Sequence, residues 1–137
     1  MKIPTDKEIL EVIFEHYKAT FAGYAISKDR SSKIYVPIDC KKIADSLGTE
    51  GDIVFGRLYY HLERKHGYAQ PDGSKVHFFS LKVGNDAKCV NFPLLVSVLA
   101  GLQEEGRRFW IANAASFLSL GVAIGSLVVA IAALKGP

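Results

Sequence analysis

The side chains best suited to nucleophilic, acid–base or metal chemistry here are four histidines and two cysteines. His16, His61, His66 and His77 contain no pair at the four-residue helical spacing with which a zinc hydrolase presents two imidazoles. His61 and His66 point to different sides of any helix that carries both. Cys40 and Cys89 are too far apart for a paired-thiolate site and too few for a disulfide framework, so reduced, half-buried thiols are expected. There is no glycine-rich phosphate loop, no nucleophile elbow and no cluster of carboxylates. The chain is therefore expected not to be an enzyme and to need no cofactor or metal.

Recognition is the chemistry that the spacing does support. Arg57, Tyr60, His61 and Arg64 recur at i, i+3, i+4 and i+7, which places them on one helix face, with Lys65 and His66 beside them. The opposite face carries Phe55, Leu58, Tyr59 and Leu62 at the same spacing and is expected to be buried. A cationic and aromatic stripe backed by an apolar one suits an acidic or aromatic protein partner, or phosphate. Lys75 and Lys82, farther along, are candidates for two additional phosphate contacts.

The elements that must position this stripe can be read in order. Thr5-Asp6-Lys7-Glu8 has the form of a capping box, and Ile9, Leu10, Ile13, Tyr17 and Phe21 follow at helical spacing to a stop at Gly23. Ser27 to Lys33 is polar and turn-like, and Ile34 to Ile38 forms a short strand that Pro37 restricts to an edge. Asp39 caps a second helix, with Ile43, Ala44 and Leu47 on its apolar face and Gly48 at its end. Thr49 to Asp52 opens the third helix, which carries the stripe and runs toward His66, with Gly67 as a left-handed cap. Pro71 to Ser74 is a turn, Val76 to Val83 a strand, and Lys88 to Phe92 a further strand. Pro93 begins a fourth, amphipathic helix whose apolar face is Leu95, Val98, Leu99 and Leu102.

This order resembles the winged helix-turn-helix superfamily over residues 5 to 92. The residues that carry the likeness are Ile43 to Gly48 in the second helix, Leu58 to Glu63 in the third, and Gly67-Tyr68 entering the wing. The resemblance implies a third helix able to enter a major groove, with the Pro71 to Lys75 turn as wing tip. The positions that would meet base edges, however, are Glu50, Gly51, Asp52, Ile53, Val54 and Phe55. Acids repel phosphate, and aliphatic side chains make no bidentate contacts with bases.

From Phe109 to Leu134 no charged residue or histidine occurs, and the run exceeds the ~20 apolar residues needed to cross a bilayer. Arg107, Arg108 and Trp110 on one side and Lys135 on the other would mark the lipid interface. Asn113, Gly121 and Gly125 lie on one four-residue row suited to close helix association. The expectation is thus an α+β, winged-helix-like head over residues 1–93, an amphipathic connecting helix over 94–108 and a single transmembrane helix over 109–134. That makes a tail-anchored, single-pass membrane protein with its head in the cytoplasm. With 17 basic against 14 acidic residues the chain has no strong field for a polyanion. The expected function is recognition or scaffolding of a protein partner at the membrane face. A membrane-tethered DNA-binding regulator and a small homo-oligomer assembled through the membrane helix are the alternatives.

Overall fold

Thr5 begins the ordered architecture as the sequence predicts. In a computed structural model describing residues 1–134, apart from the side chains of 119–129, its hydroxyl accepts from the Glu8 N–H at 3.1 Å and the Glu8 carboxylate accepts from the Thr5 N–H at 3.2 Å. Helix α1 (Asp6–Ala22) buries Ile9, Leu10 and Ile13. A short helix, α2 (Tyr24–Ser27), follows Gly23 and ends at Lys28 in the left-handed region. Arg30, in the stretch expected to be a polar turn, is buried instead. Its guanidinium donates to the carbonyls of Thr20, Phe21 and Lys33 at 3.0, 3.3 and 2.9 Å. It thereby closes the carbonyl end of α1, where a cation is favoured.

Strand β1 (Tyr35–Pro37) leads to α3 (Cys40–Leu47), capped by Asp39, whose carboxylate accepts from the N–H groups of Lys41 and Lys42. Gly48 ends α3 at φ 67°. The third helical rod consists of α4 (Gly51–Gly56), a π-helical segment (Arg57–Leu62) and α5 (Glu63–His66). Val54, Leu58 and Leu62 are its buried side chains, whereas Phe55 is half-buried and Tyr59 exposed. The expected stripe therefore holds only in part. The wider turn of a π segment keeps residues four apart in line and swings those three apart off the buried face. Gly67 has φ −67° and ψ 149°, so it is extended and not left-handed.

The stretch expected as one strand from Val76 to Val83 is divided. Strand β2 (Tyr68–Ala69) pairs with β3 (Lys75–Val76) in a two-stranded ribbon closed by the Pro71 to Ser74 turn. Strands β4 (Phe79–Val83) and β5 (Asp86–Asn91) join β1 in an antiparallel sheet of order β1-β5-β4. The expected wing tip at Pro71 to Lys75 thus closes the small ribbon, and the sheet's own hairpin turns at Gly84-Asn85. The division occurs where His77 faces Glu63 and Phe78 enters the core.

Helix α6 (Phe92–Leu134) starts where Asn91 accepts from the Leu94 N–H at 3.2 Å. Phe92 stacks on Phe14 and Phe21, and Leu95 and Leu99 are buried. The chain divides into two units, Met1–Ala100 and Gly101–Pro137. Within the first, α1, α3, the third rod and the start of α6 supply the core together with Val36, Phe78, Phe79 and Val90. Burying each large apolar side chain contributes roughly 1.5–3 kcal/mol, offset by the entropy of ordering it.

The membrane expectations require correction. Among the described residues no helix is long and apolar enough to cross a membrane. Helix α6 carries Glu104, Glu105, Arg107 and Arg108 in its described part. The transmembrane helix, the tail anchor, the single-pass location with a cytoplasmic head and the membrane-tethered roles are accordingly withdrawn. The side chains of the Gly121/Gly125 row, and Lys135, lie outside the described residues. The α+β character stands, with helices and small antiparallel sheets.

Candidate binding groove

The four residues of the expected contact stripe do not act together. Arg57 donates to Asp6 Oδ1 at 2.8 Å, and His61 Nε2 lies 3.3 Å from Asp6 Oδ2. Both side chains thus tie the third rod to the first turn of α1. Tyr60 and Arg64 point elsewhere, into a groove of about 810 Å³ between the rod and strands β3 and β4. That volume lies in the range of small-ligand and peptide pockets.

An aromatic ladder forms one wall. Phe79 meets Phe55 edge-on at 5.8 Å, Phe55 stacks on Tyr59 at 5.5 Å, and Tyr59 meets Tyr60 edge-on at 4.9 Å. The ladder starts in the core and ends at Tyr60, which is 73% exposed. Opposite it, on β4, Leu81 follows buried Phe79 on the same face of the strand and is 46% exposed. Apolar surface is therefore left uncovered on both sides of the groove.

Glu63 lies between these walls, its side chain only 17% exposed. Its Oε2 accepts from the Phe79 N–H at 2.6 Å, and its Oε1 is 3.0 Å from His77 Nδ1. A carboxylate only accepts, so this contact puts the imidazole proton on Nδ1. Nε2 then has no hydrogen-bond partner among the described residues. Gly67 makes the arrangement possible, because a Cβ there would come within 2.5 Å of Glu63 Oε1 and 2.7 Å of the Glu63 carbonyl. Space for the carboxylate, and not backbone conformation, is what demands glycine at this position.

Around Glu63 the groove is cationic. Arg64, Lys75 and Lys82 line it, and among the described residues none of them is in an ion pair. Lys65 is exposed beside the groove without lining it. His66 packs on Phe78 at 5.5 Å, and burial, followed by the charge of Lys65, lowers its pKa. The half-buried ring packs against the core and does not line the groove.

A second hollow of about 490 Å³ lies beside Asp39, Asp52 and Lys88. Lys88 holds its backbone at φ 54° and its ammonium 5.5 Å from the Phe55 ring centre. Both cysteines are free and buried; burial raises the Cys40 thiol and pushes Cys89 up to about 11. Such thiols stay protonated at neutral pH and are poor nucleophiles. Among the described residues no group of His, Cys, Asp or Glu could hold a metal ion. On α6, Trp110 is exposed and Arg108 pairs with Glu104 at 2.8 Å.

Sequence reasoning reached Tyr60, Arg64 and Lys75 but missed Glu63, His77, Leu81 and the groove itself. Glu63 and His77 are separated by a ribbon, so no local spacing connects them. The one local trace is Gly67, four residues after Glu63. No protein-family model, curated protein or solved structure matches the chain. The likeness to winged helix-turn-helix proteins therefore has no support from comparison, and with it the DNA-reading role that the likeness implied is withdrawn.

Proposed function

We propose that residues 1–100 are a protein-recognition module that takes an acidic segment of a partner protein into the groove between the third rod and β4. The observation that carries this reading is the set of three cations that have no ion-pair partner among the described residues, Arg64, Lys75 and Lys82, around uncovered Tyr60 and Leu81. Charge-assisted contacts would orient the partner's carboxylates, and the aromatic wall would supply most of the affinity. Among the described residues Glu63 is the only carboxylate lining the groove, and it already has two contacts and is turned to β4 and His77. A nucleic-acid partner fits less well, since Glu50 and Asp52 stand exposed at the start of the same rod.

The test is fluorescence anisotropy of the 137-residue chain with a labelled octapeptide of alternating valine and glutamate, over a salt series. Binding that weakens with salt, and that Arg64→Ala/Lys75→Ala reduces while Arg57→Ala does not, is the expected result. No binding at low salt overturns the reading. So does displacement of the peptide by mixed-sequence duplex DNA with the same dependence on Arg64 and Lys75.

A further inference from the structure

Charge is the first constraint on what the groove takes. Three cations, Arg64, Lys75 and Lys82, against one carboxylate, Glu63, leave its described lining with a net charge of +2 while His77 is neutral. The second constraint is the unused nitrogen of His77. Its Nδ1 gives a proton to Glu63, so Nε2 of the neutral ring is a lone-pair acceptor. That atom has no hydrogen-bond partner among the described residues, and solvent reaches it. The side chain is 41% exposed and lines the groove together with Lys75 and Lys82. An excess of positive charge thus shares the groove with one acceptor.

Anions differ in how they meet that combination. A carboxylate only accepts, and so sets its own lone pairs against Nε2. A phosphodiester carries a single charge and no proton. A phosphomonoester carries a charge of about −1.5 to −2 at neutral pH, and its second pKa of about 6 lets it share a proton with an imidazole. We infer that the acidic segment taken by the groove bears a phosphorylated side chain, its phosphate bound at His77 Nε2 and neutralised by Arg64, Lys75 and Lys82. This rests on the reading of the groove as a site for an acidic protein segment. One proton lies between a phosphate oxygen and Nε2. The monoanion brings it as its own P–OH, and the dianion takes it from water. In the second case Glu63, bonded at Nδ1, stabilises the imidazolium that results. Tyr60 and Leu81 then meet the apolar residues that flank the phosphorylated one. Clustered cations are the common means of reading a phosphorylated motif, and the imidazole adds discrimination against carboxylates.

Two probes are compared on the 137-residue chain at neutral pH: the alternating valine–glutamate octapeptide, and the same peptide with one central glutamate replaced by phosphoserine. The phosphopeptide should bind at least about tenfold more tightly, as one added charge-assisted hydrogen bond predicts. It should also move the nitrogen-15 resonance of His77 Nε2 toward that of a protonated ring, which the glutamate peptide leaves in place. His77→Phe should remove most of the preference for the phosphopeptide. If the phosphopeptide binds no more tightly, or leaves Nε2 unmoved, the inference is wrong and the groove reading survives. If neither peptide binds, both fall. Full displacement of the phosphopeptide by an equal concentration of inorganic phosphate would assign the site to free phosphate and overturn the inference. Should His77→Phe fold poorly, the nitrogen resonance of the unaltered chain decides.

Discussion

Two carboxylates flank the third rod, each holding a histidine and one further donor, and they serve different ends. Asp6 accepts from Arg57 and lies within reach of His61, its side chain 23% exposed. Glu63 accepts from the Phe79 N–H and His77. Around Asp6 the local cations are used up in joining two helices. Around Glu63 the cations Arg64, Lys75 and Lys82 have no ion-pair partner among the described residues, and the carboxylate secures the backbone of β4 at Phe79. A carboxylate with an imidazole thus makes a fastening between helices on one side and lines the groove on the other. The difference lies in whether the second donor comes from a side chain or from a sheet edge.

The largest effect should come from breaking the Glu63 side. Glu63→Ala strands the buried Phe79 N–H and should cost about 2 kcal/mol, lowering Tm by about 10 °C in thermal unfolding followed by circular dichroism. Gly67→Ala should have a similar though smaller effect, because the new methyl displaces the Glu63 carboxylate. Asp6→Ala is expected to cost about 1 kcal/mol, since its partners retain access to water, and to leave peptide binding unchanged. If Asp6→Ala instead abolished binding, the division between fastening and groove would be wrong.

Acid should act on the fastening side through Glu8. Its carboxyl is lowered from 4.5 to about 2, first by the Lys2 ammonium and then by the Thr5 N–H and hydroxyl. A folded-state pKa below the unfolded one contributes stability above pH 4.5 that is lost as pH falls toward 2. Glu8→Gln should flatten the dependence of Tm on pH in that window and leave it unaltered at pH 7 to 8. The smallest stability effect belongs to Arg64→Ala, below about 0.5 kcal/mol by denaturant titration, although it should remove peptide binding.

The contrast between the two sides also separates what could be read in the sequence from what could not. Local rules located the Thr5 box, the Asp39 cap, Gly48 and the edge strand at Pro37, because each depends on neighbours within four residues. The Leu58 and Leu62 positions followed from helical spacing, but the π segment turned Tyr59 out of the stripe. Buried Arg30 looked like a turn residue, since its carbonyl partners belong to the end of α1 and to Lys33. Asp6, fifty-one and fifty-five residues away, engages Arg57 and His61, a pairing that no local spacing could reveal. Glu63 and His77 were invisible for the same reason. An uncharged run at the end of the chain suggested a membrane span that the described helix does not bear out.

The central claim is that Arg64, Lys75, Leu81 and Lys82 form one receptive surface while Arg57 and His61 do not belong to it. Amide chemical-shift mapping of the 137-residue chain, titrated with the valine–glutamate octapeptide, tests this directly. The account predicts saturable shifts at Arg64, Lys75, Leu81 and Lys82, with Arg57 and His61 unmoved. Shifts centred on Asp6, Arg57 and His61, or none at all, would contradict it.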